Sequence, residues 1–219
     1  MPDYLAGLRR DLAGLRIGLD PEFAFGGVDA VTVAAVTQAV DDMQRGGARI
    51  VPLRFPDVSQ IVADWFPVCA VQTAVAHEAS YPARKAEYGQ ALADLIELGR
   101  GLSGMEYQRL IVRREAFKGR LCARFDEVDL LVLPVMTFAE TTLQRMLKID
   151  DELIMGVHRY TCAFTISGHA AITFPCGRTA SDTPISCQLV GRHFDQDLLL
   201  AASHAFQQGT DWHHRHPSL

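Results

Sequence analysis

The stretch CAFTISGHAAITFPCGRTASDTPISCQLVGR, Cys162 to Arg192, decides how the rest of the chain is read. It divides into a polar loop, a short apolar run AAITFP (170–175), a Cys176-Gly177 turn, a second loop and a second run ISCQLVG (185–191). Both runs are short and mainly apolar and lie between polar loops and turns, which marks them as strands. The short Arg178–Pro184 loop between them suits a hairpin, so the pair is expected to be antiparallel. Such loops beside strand ends are where active sites are commonly built, and the stretch raises the question of which side chain would react there.

Working outward, LRIGLD (15–20) and RIVPLRFP (49–56) are two more strand candidates. Between them VDAVTVAAVTQAVDDMQRGGA carries Val33, Val36, Val40 and Met43 at helical spacing, and Gly46-Gly47 supplies a left-handed stop. Strand, helix and strand with short links make a βαβ unit, so these two strands are expected to be parallel. VDLLVLPV (128–135) is apolar throughout, as a strand buried on both faces would be.

A helical region lies between these blocks. Ser59 is placed to cap QIVADWFPVCAVQTAVAHEAS, with Pro67 as an interruption or kink. ARKAEYGQALADLIELGRG (83–101) is a second helix, closed by Gly101. Ser103 and Glu106 form a capping box for a third, whose apolar stripe is Tyr107, Leu110, Ile111, Phe117, Leu121 and Phe125. Its opposite face carries Arg109, Arg113, Arg114, Glu115 and Arg120, read as solvated. FDQDLLLAASHAFQQGT (194–210) closes the chain with Leu198, Leu199, Ala202 and Phe206 facing inward. The expected fold class is α/β: a partial mixed sheet of about five strands flanked by helices, in one domain spanning residues 1–219.

Composition narrows the function. The 219 residues are 48% hydrophobic and 21% charged with a formal net charge of -5, so no basic footprint for nucleic acid is present. No apolar run approaches the ~18–20 residues that span a bilayer, and MPDYLAGLRRDLAGL lacks the continuous apolar core of a secretory leader. The five cysteines are scattered without a CxxC pair, which fits reduced thiols and a cytoplasmic protein.

Residue by residue, a reactive centre is hard to find. The WHHRH tail (212–216) has adjacent histidines but no Cys, Asp or Glu at ligand spacing, so it reads as solvated and no metal site is assigned. Cys176 before Gly177 occupies a position where a nucleophile can be presented, with His169 nearby in sequence, yet a small buried residue at a turn is the simpler reading. There is no G-x-S-x-G elbow, P-loop or G-x-G-x-x-G.

Taken in order, FTISGHAAITFPCG, DTPISCQLVGR, FDQDLLLAASHAFQ and TDWHHRHP resemble the C-terminal half of the amidase signature family. That family carries a segment close to N-x-S/T-G-x-P-A-I-x-x-P-x-G, then D-G-x-P-I-G-x-Q-L-V-G, a helix and a T-x-W-H ending. Upstream, LAGLRIGLD and FDEVDLLVLPVM resemble the segment after its catalytic core and its F…D-x-L-x-x-P-T strand. The resemblance implies carboxamide C–N bond hydrolysis, with no cofactor, by a lysine, a serine in a cis peptide bond and a nucleophilic serine set in a Gly/Ser-rich signature. No such signature occurs in this sequence, whose only lysines are Lys85, Lys118 and Lys148, so no catalytic residue is assigned.

The resemblance further implies that the chain supplies one wall of the substrate pocket, with Pro134 and Met136 after the buried strand and Phe164, Thr165, Ser167 and Gly168 in the later loop; the alternative is that these residues only shape turns. Implied partners are a small amide substrate, once the signature half is supplied, and a complementing chain or a second copy; neither nucleic acid nor membrane is expected. Thr165 stands where the family usually has Asn, Ala170 replaces Pro, and Thr183 and Ser186 replace Gly. Glycine positions often need positive φ, so Thr183 is expected either to strain its turn or to mark a turn that differs from the family's.

Overall fold

The computed structural model describes residues 3–8 and 11–216. Pro217, the last residue of the TDWHHRHP resemblance, and Met1, Pro2, Arg9 and Arg10 of the leader reading lie outside the described residues. Five strands, β1 (Arg16–Leu19), β2 (Arg49–Pro52), β3 (Leu130–Pro134), β4 (Ala171–Arg178) and β5 (Pro184–Val190), form one sheet in the order β2-β1-β3-β5-β4. β1 runs parallel to both β2 and β3, whereas β5 runs antiparallel to β3 and β4. The expected α/β class, the parallel βαβ pair and the antiparallel hairpin are all present.

Among the described residues the longer helices are α1 (Ala30–Arg45), α2 (Ser59–Ala76), α3 (Gln90–Gly101), α4 (Gly104–Cys122), α5 (Asp151–His158), α6 (Cys162–Ser167) and α7 (Gln196–Gln208), with α3 packed on α2. All of β3 is buried, and its side chains alternate between the sheet faces because successive Cβ atoms point opposite ways. Leu130 and Val132 join Val36, Met43, Phe174, Leu189 and Phe206 beneath α1 and α7. Leu131 and Leu133 join Phe117, Leu121, Phe125, Tyr160 and Phe164 beneath α4 and α6. A strand with helices on both faces has to be apolar throughout, which explains VDLLVLPV.

Helix boundaries follow local chemistry in part. Asp29 caps α1 by accepting from the Thr32 amide at 2.6 Å, and Gly47 takes φ 97 just beyond its end. The Ser103–Glu106 capping box opens α4. Ser59, expected as a cap, is instead the first residue of α2; the Asp57 carboxylate accepts from its amide at 3.0 Å. Pro67 sits inside α2, which continues through it. The helix expected from residue 83 starts only at Gln90, because a short helix Tyr81–Arg84 and a 3-10 turn Lys85–Glu87 precede Gly89. Arg113 is not simply solvated: its guanidinium grips the buried Asp64 of α2 with two hydrogen bonds of 2.7 Å.

The decisive stretch holds one departure and settles the alternative left open at Thr183 in favour of a turn that differs. Cys162–Ser167 is a helix, not a loop. Four of its first five residues, Cys162, Ala163, Phe164 and Ile166, are buried in the cluster beneath the sheet, and Gly168 ends it with a left-handed φ of 77. That helix is stabilised by packing more than by propensity, since six residues are too few to hold a helix in water. In the hairpin loop the positive φ of 68 belongs to Asp182, not Thr183. Aspartate tolerates that region, so Thr183 stays unstrained and donates its amide to Thr179 Oγ1 at 3.1 Å.

β1 and β3 are joined at their entry by Asp129. Its carboxylate accepts from the Arg16 amide at 2.9 Å and from the Arg16 guanidinium at 2.8 and 3.3 Å. Hydrogen bonding to Arg16 holds the Asp129 carboxyl below its usual range. A carboxyl with a depressed folded-state pKa stabilises above the unfolded value, about 3.9, and that contribution is lost as pH falls through the folded value. Asp129→Asn is therefore expected to cost about 1 kcal/mol at pH 7, with the half-exposed Arg16 limiting the effect, and to flatten the loss of stability on acidification below about pH 4; urea unfolding at several pH values measures both. Gly99 marks a second tight contact, where a Cβ would lie 2.0 Å from the Ala70 carbonyl oxygen of α2. Gly99→Val is expected to destabilise by about 1–3 kcal/mol or more by overpacking the α2–α3 crossing, read as a lower urea midpoint.

Candidate functional site

Parallel β1 and β3 leave the sheet at the same edge, through Asp20 and through Pro134. In open α/β sheets this carboxyl edge is where ligands bind. Three segments build it here. After β1, buried Asp20 caps a helical turn Pro21–Phe25 by accepting from the Glu22 and Phe23 amides, and accepts from the Phe55 amide beyond β2 at 2.8 Å. After β3, the segment 135–142 is anchored to the start of α1: Asp29 accepts from the Ala139 amide at 2.6 Å, and the Asp29 amide donates to the Thr137 carbonyl at 2.9 Å. Third, Arg159 beyond α5 donates to the Phe23 and Gly26 carbonyls, both at 2.5 Å, and the buried Tyr160 hydroxyl donates to the Ala24 carbonyl at 2.8 Å.

Between these segments lies an open cleft of about 450 Å³, lined in part by Asp29, Thr137, Phe138, Glu140, Arg145 and Glu152. Burial opposes the Asp29 charge, but amide hydrogen bonds from Thr32 and Ala139 outweigh it and keep the carboxyl below its usual value. Hydrogen bonds from Ser181 and Thr179 likewise lower Glu140 and tie the β3 exit loop to the hairpin loop. The cleft is thus predominantly acidic at neutral pH, with Arg145 already bound to Asp150 and Glu152. Beside it, a smaller pocket of about 100 Å³ is lined by Thr32, Met136, Phe138, Thr173, Pro184 and Ser186 among others. The Thr32 hydroxyl is buried behind that pocket, beside the Asp29 carboxylate.

The six residues expected to form one pocket wall do not lie together. Pro134 is buried at the end of β3, and Met136 is exposed just beyond it at the carboxyl edge. Phe164 is buried midway along α6, with its ring edge-on to Phe55 at 5.8 Å. Thr165 is exposed, and its hydroxyl donates back to the Thr161 carbonyl at 3.2 Å. Ser167 and Gly168 lie at the opposite end of the sheet, since Ala170 accepts from the Gly191 amide and the adjoining Ala171 and Val190 pair level with Leu131 at the start of β3. α6 therefore runs under the sheet from one edge to the other.

The residue that joins α6 to the carboxyl edge is Gln188, which no argument from spacing singles out. Its buried side-chain amide donates to the Pro134 carbonyl at 3.0 Å and to the Tyr160 carbonyl at 2.8 Å. A glutamine in the middle of a mainly apolar strand is the sequence signal that points to it, because such a group, once buried, has to find partners. Cys176, by contrast, is 2% exposed, and burial pushes its thiol up to about 12. It packs in the α1–α7 core, while His169 meets Cys122. A thiol so placed is not available as a nucleophile at neutral pH.

Fold and cleft together define an α/β protein with an open cleft at the carboxyl ends of its parallel strands. The chain belongs to the amidase family, whose model, described as Amidase, matches residues 1–200. It is 43% identical over 152 residues to AmiD of Mycobacterium tuberculosis, an alignment covering 68% of this chain and 32% of AmiD. It is 26% identical over 224 residues to an amidase of Pseudomonas putida, covering 100% of this chain and 48% of that protein. The structure superposes on 6-aminohexanoate cyclic dimer hydrolase in complex with its substrate with a TM-score of 0.82 at 20% identity, covering 99% of this chain and 49% of that one. At full coverage, then, the chain spans about half the length of the relatives it matches. Among the described residues no helix is long and apolar enough to cross a membrane.

Replacing Gln188 tests the junction. Gln188→Leu leaves the Pro134 and Tyr160 carbonyls buried without this donor, at about 1–3 kcal/mol for each unsatisfied group. A loss of about 2–4 kcal/mol in urea unfolding is expected, and a loss under about 0.5 kcal/mol would show that water replaces the amide without cost.

Proposed function

We propose that this chain forms the C-terminal half of an amidase signature hydrolase and takes part in hydrolysing the C–N bond of a carboxamide. The observation that carries this reading is the ordered series of motifs from LAGLRIGLD to TDWHH, laid out on a sheet that superposes on about half of a known amide hydrolase. The chemistry of such enzymes needs an activated hydroxyl and a lysine base, which in this reading come from a signature segment, whether continuous with this chain or carried by another.

In this arrangement the chain contributes a wall and a frame: Met136 offers an exposed side chain at the carboxyl edge with Pro134 behind it, while Phe164, Thr165, Ser167 and Gly168 shape α6 and the turn that ends it. The acidic cleft would favour a substrate with a neutral or cationic group near the carboxamide over a carboxylate.

A second reading, a non-catalytic subunit that pairs with a signature-bearing chain or with a copy of itself, has its own support. Leu143, Leu147 and Ile149 are 76%, 75% and 73% exposed within seven residues, and Met146 is 40% exposed among them. Apolar surface concentrated in this way marks contact sites, and the outer strands β2 and β4 border the same sheet.

The residues 1–219, purified and incubated with primary amides and aryl acylamides, are expected to show no turnover and no serine labelling by an acyl phosphonate. Adding a polypeptide that carries the family signature is expected to restore both. Turnover by this chain alone, with a labelled serine whose mutation abolishes it, would overturn the division of labour. A stable complex without turnover would favour the second reading.

A further inference from the structure

At the end of the sheet opposite the cleft, three side chains from three separate segments converge. Cys122 is the last residue of α4, His169 lies in the turn between α6 and β4, and His193 lies in the loop between β5 and α7. Each offers one metal-ligating atom, and the three atoms lie within 4.8 Å of one another. Cys122 Sγ is 3.7 Å from His169 Nε2. A sulfur and a nitrogen bound to one tetrahedral zinc, at about 2.3 and 2.0–2.1 Å, stand about 3.6 Å apart, so this pair already has the spacing of two ligands of one ion.

The rest of the cluster is arranged around the lone pair of His169. The Ser167 hydroxyl donates to the Phe164 carbonyl at 3.3 Å, which leaves its oxygen to accept from His169 Nδ1 at 2.8 Å. That bond puts the ring proton on Nδ1 and the free lone pair on Nε2, facing Cys122. The His169 ring is 7% exposed and lies between Phe125, stacked at 5.0 Å, and His193 at 4.2 Å, so its orientation is set from both sides. Lys118 also lies near this buried ring. His193 donates from Nε2 to the Ser167 carbonyl at 2.8 Å, leaving Nδ1 as its unprotonated nitrogen. Metal-binding histidines are commonly oriented in this way by a hydrogen bond to the second ring nitrogen.

We propose that Cys122, His169 and His193 bind a divalent transition ion of the zinc class, with Ser167 as the positioning residue. One thiolate and two imidazoles suit a borderline-soft ion rather than magnesium or calcium, and three protein ligands leave a fourth position for water or another donor. On binding, the Cys122 thiol releases its proton to solvent as the sulfur–metal bond forms. The His193 loop has to close by about 1 Å to complete the set, while Cys122 and His193, both half-buried, leave the site open to solvent. Lys118 adds a positive charge that the thiolate offsets. The ion would tie the end of α4 to both loops, at a distance from the cleft at the carboxyl edge.

Cobalt(II) titration of the metal-free full chain tests this, because a thiolate–cobalt bond gives an intense near-ultraviolet charge-transfer band and tetrahedral cobalt gives strong visible bands. One equivalent is expected to saturate both, and zinc is expected to displace it. Cys122→Ser is expected to abolish the charge-transfer band, and His169→Gln, His193→Gln and Ser167→Ala each to weaken binding by about tenfold or more. A His213→Gln/His214→Gln variant, which removes the adjacent tail histidines, is expected to bind as the parent does. In case a variant misfolds, mass-spectrometric mapping of iodoacetamide labelling on the unaltered chain asks whether zinc protects Cys122. No charge-transfer band, a band that survives Cys122→Ser, binding lost only in the tail variant, or Cys122 labelling unaffected by zinc would each overturn the proposal.

Discussion

The structure depends on β3. Leu130 to Pro134 are covered on both faces, so every backbone donor and acceptor in that strand has to be met from within the sheet or by a buried side chain. Parallel β1 serves one edge and antiparallel β5 the other. Where the ladder ends, the Gln188 amide takes the Pro134 carbonyl, and at the entry Asp129 joins β3 to Arg16. The two clusters that hold the helices are the two sets of alternating β3 side chains extended outward, which places α1 and α7 on one face and α4 and α6 on the other.

This central strand also separates two regions of different chemistry. Its carboxyl end opens onto loops held by carboxylates, Asp20 and Asp29, that accept backbone amides. Its amino end faces the Cys122–His169–His193 group and the Arg192 guanidinium, which donates to the Phe125 and Val128 carbonyls. α6 spans the distance between them, and Gln188 and Ser167 make contacts near its two ends. A change in how α6 seats would therefore reach both regions, and the family motif that contains it serves position as much as contact.

Much of the architecture was legible in the residues. The apolar run at 128–135, the two short runs joined by the Arg178–Pro184 loop, the βαβ spacing and the Ser103–Glu106 box each rest on a local pattern with a direct physical cause. Less legible were the features whose cause lies elsewhere in the chain. CAFTIS has no helical stripe of its own, and becomes helical because nearly all of it is buried. Ser59 looks like a cap until Asp57 takes its amide, and Arg113 looks solvated until Asp64 is brought beneath it. The pocket wall rests on positions matched through the family resemblance, and a six-residue helix is long enough, at about 1.5 Å per residue, to carry Ser167 away from Pro134.

Sequence alone determined the α/β class, the strands and most of the helices, and the resemblance to the amidase signature family, because hydrophobic periodicity, capping residues and ordered motifs are local properties of the chain. Tertiary structure decided which residues meet: Gln188 with Pro134 and Tyr160, Asp29 with Ala139, and Cys122 with His169, which are separated by 47 positions. Those pairings are set by strand order and by the desolvation of polar groups inside a shared core, and neither is written in any single stretch of residues.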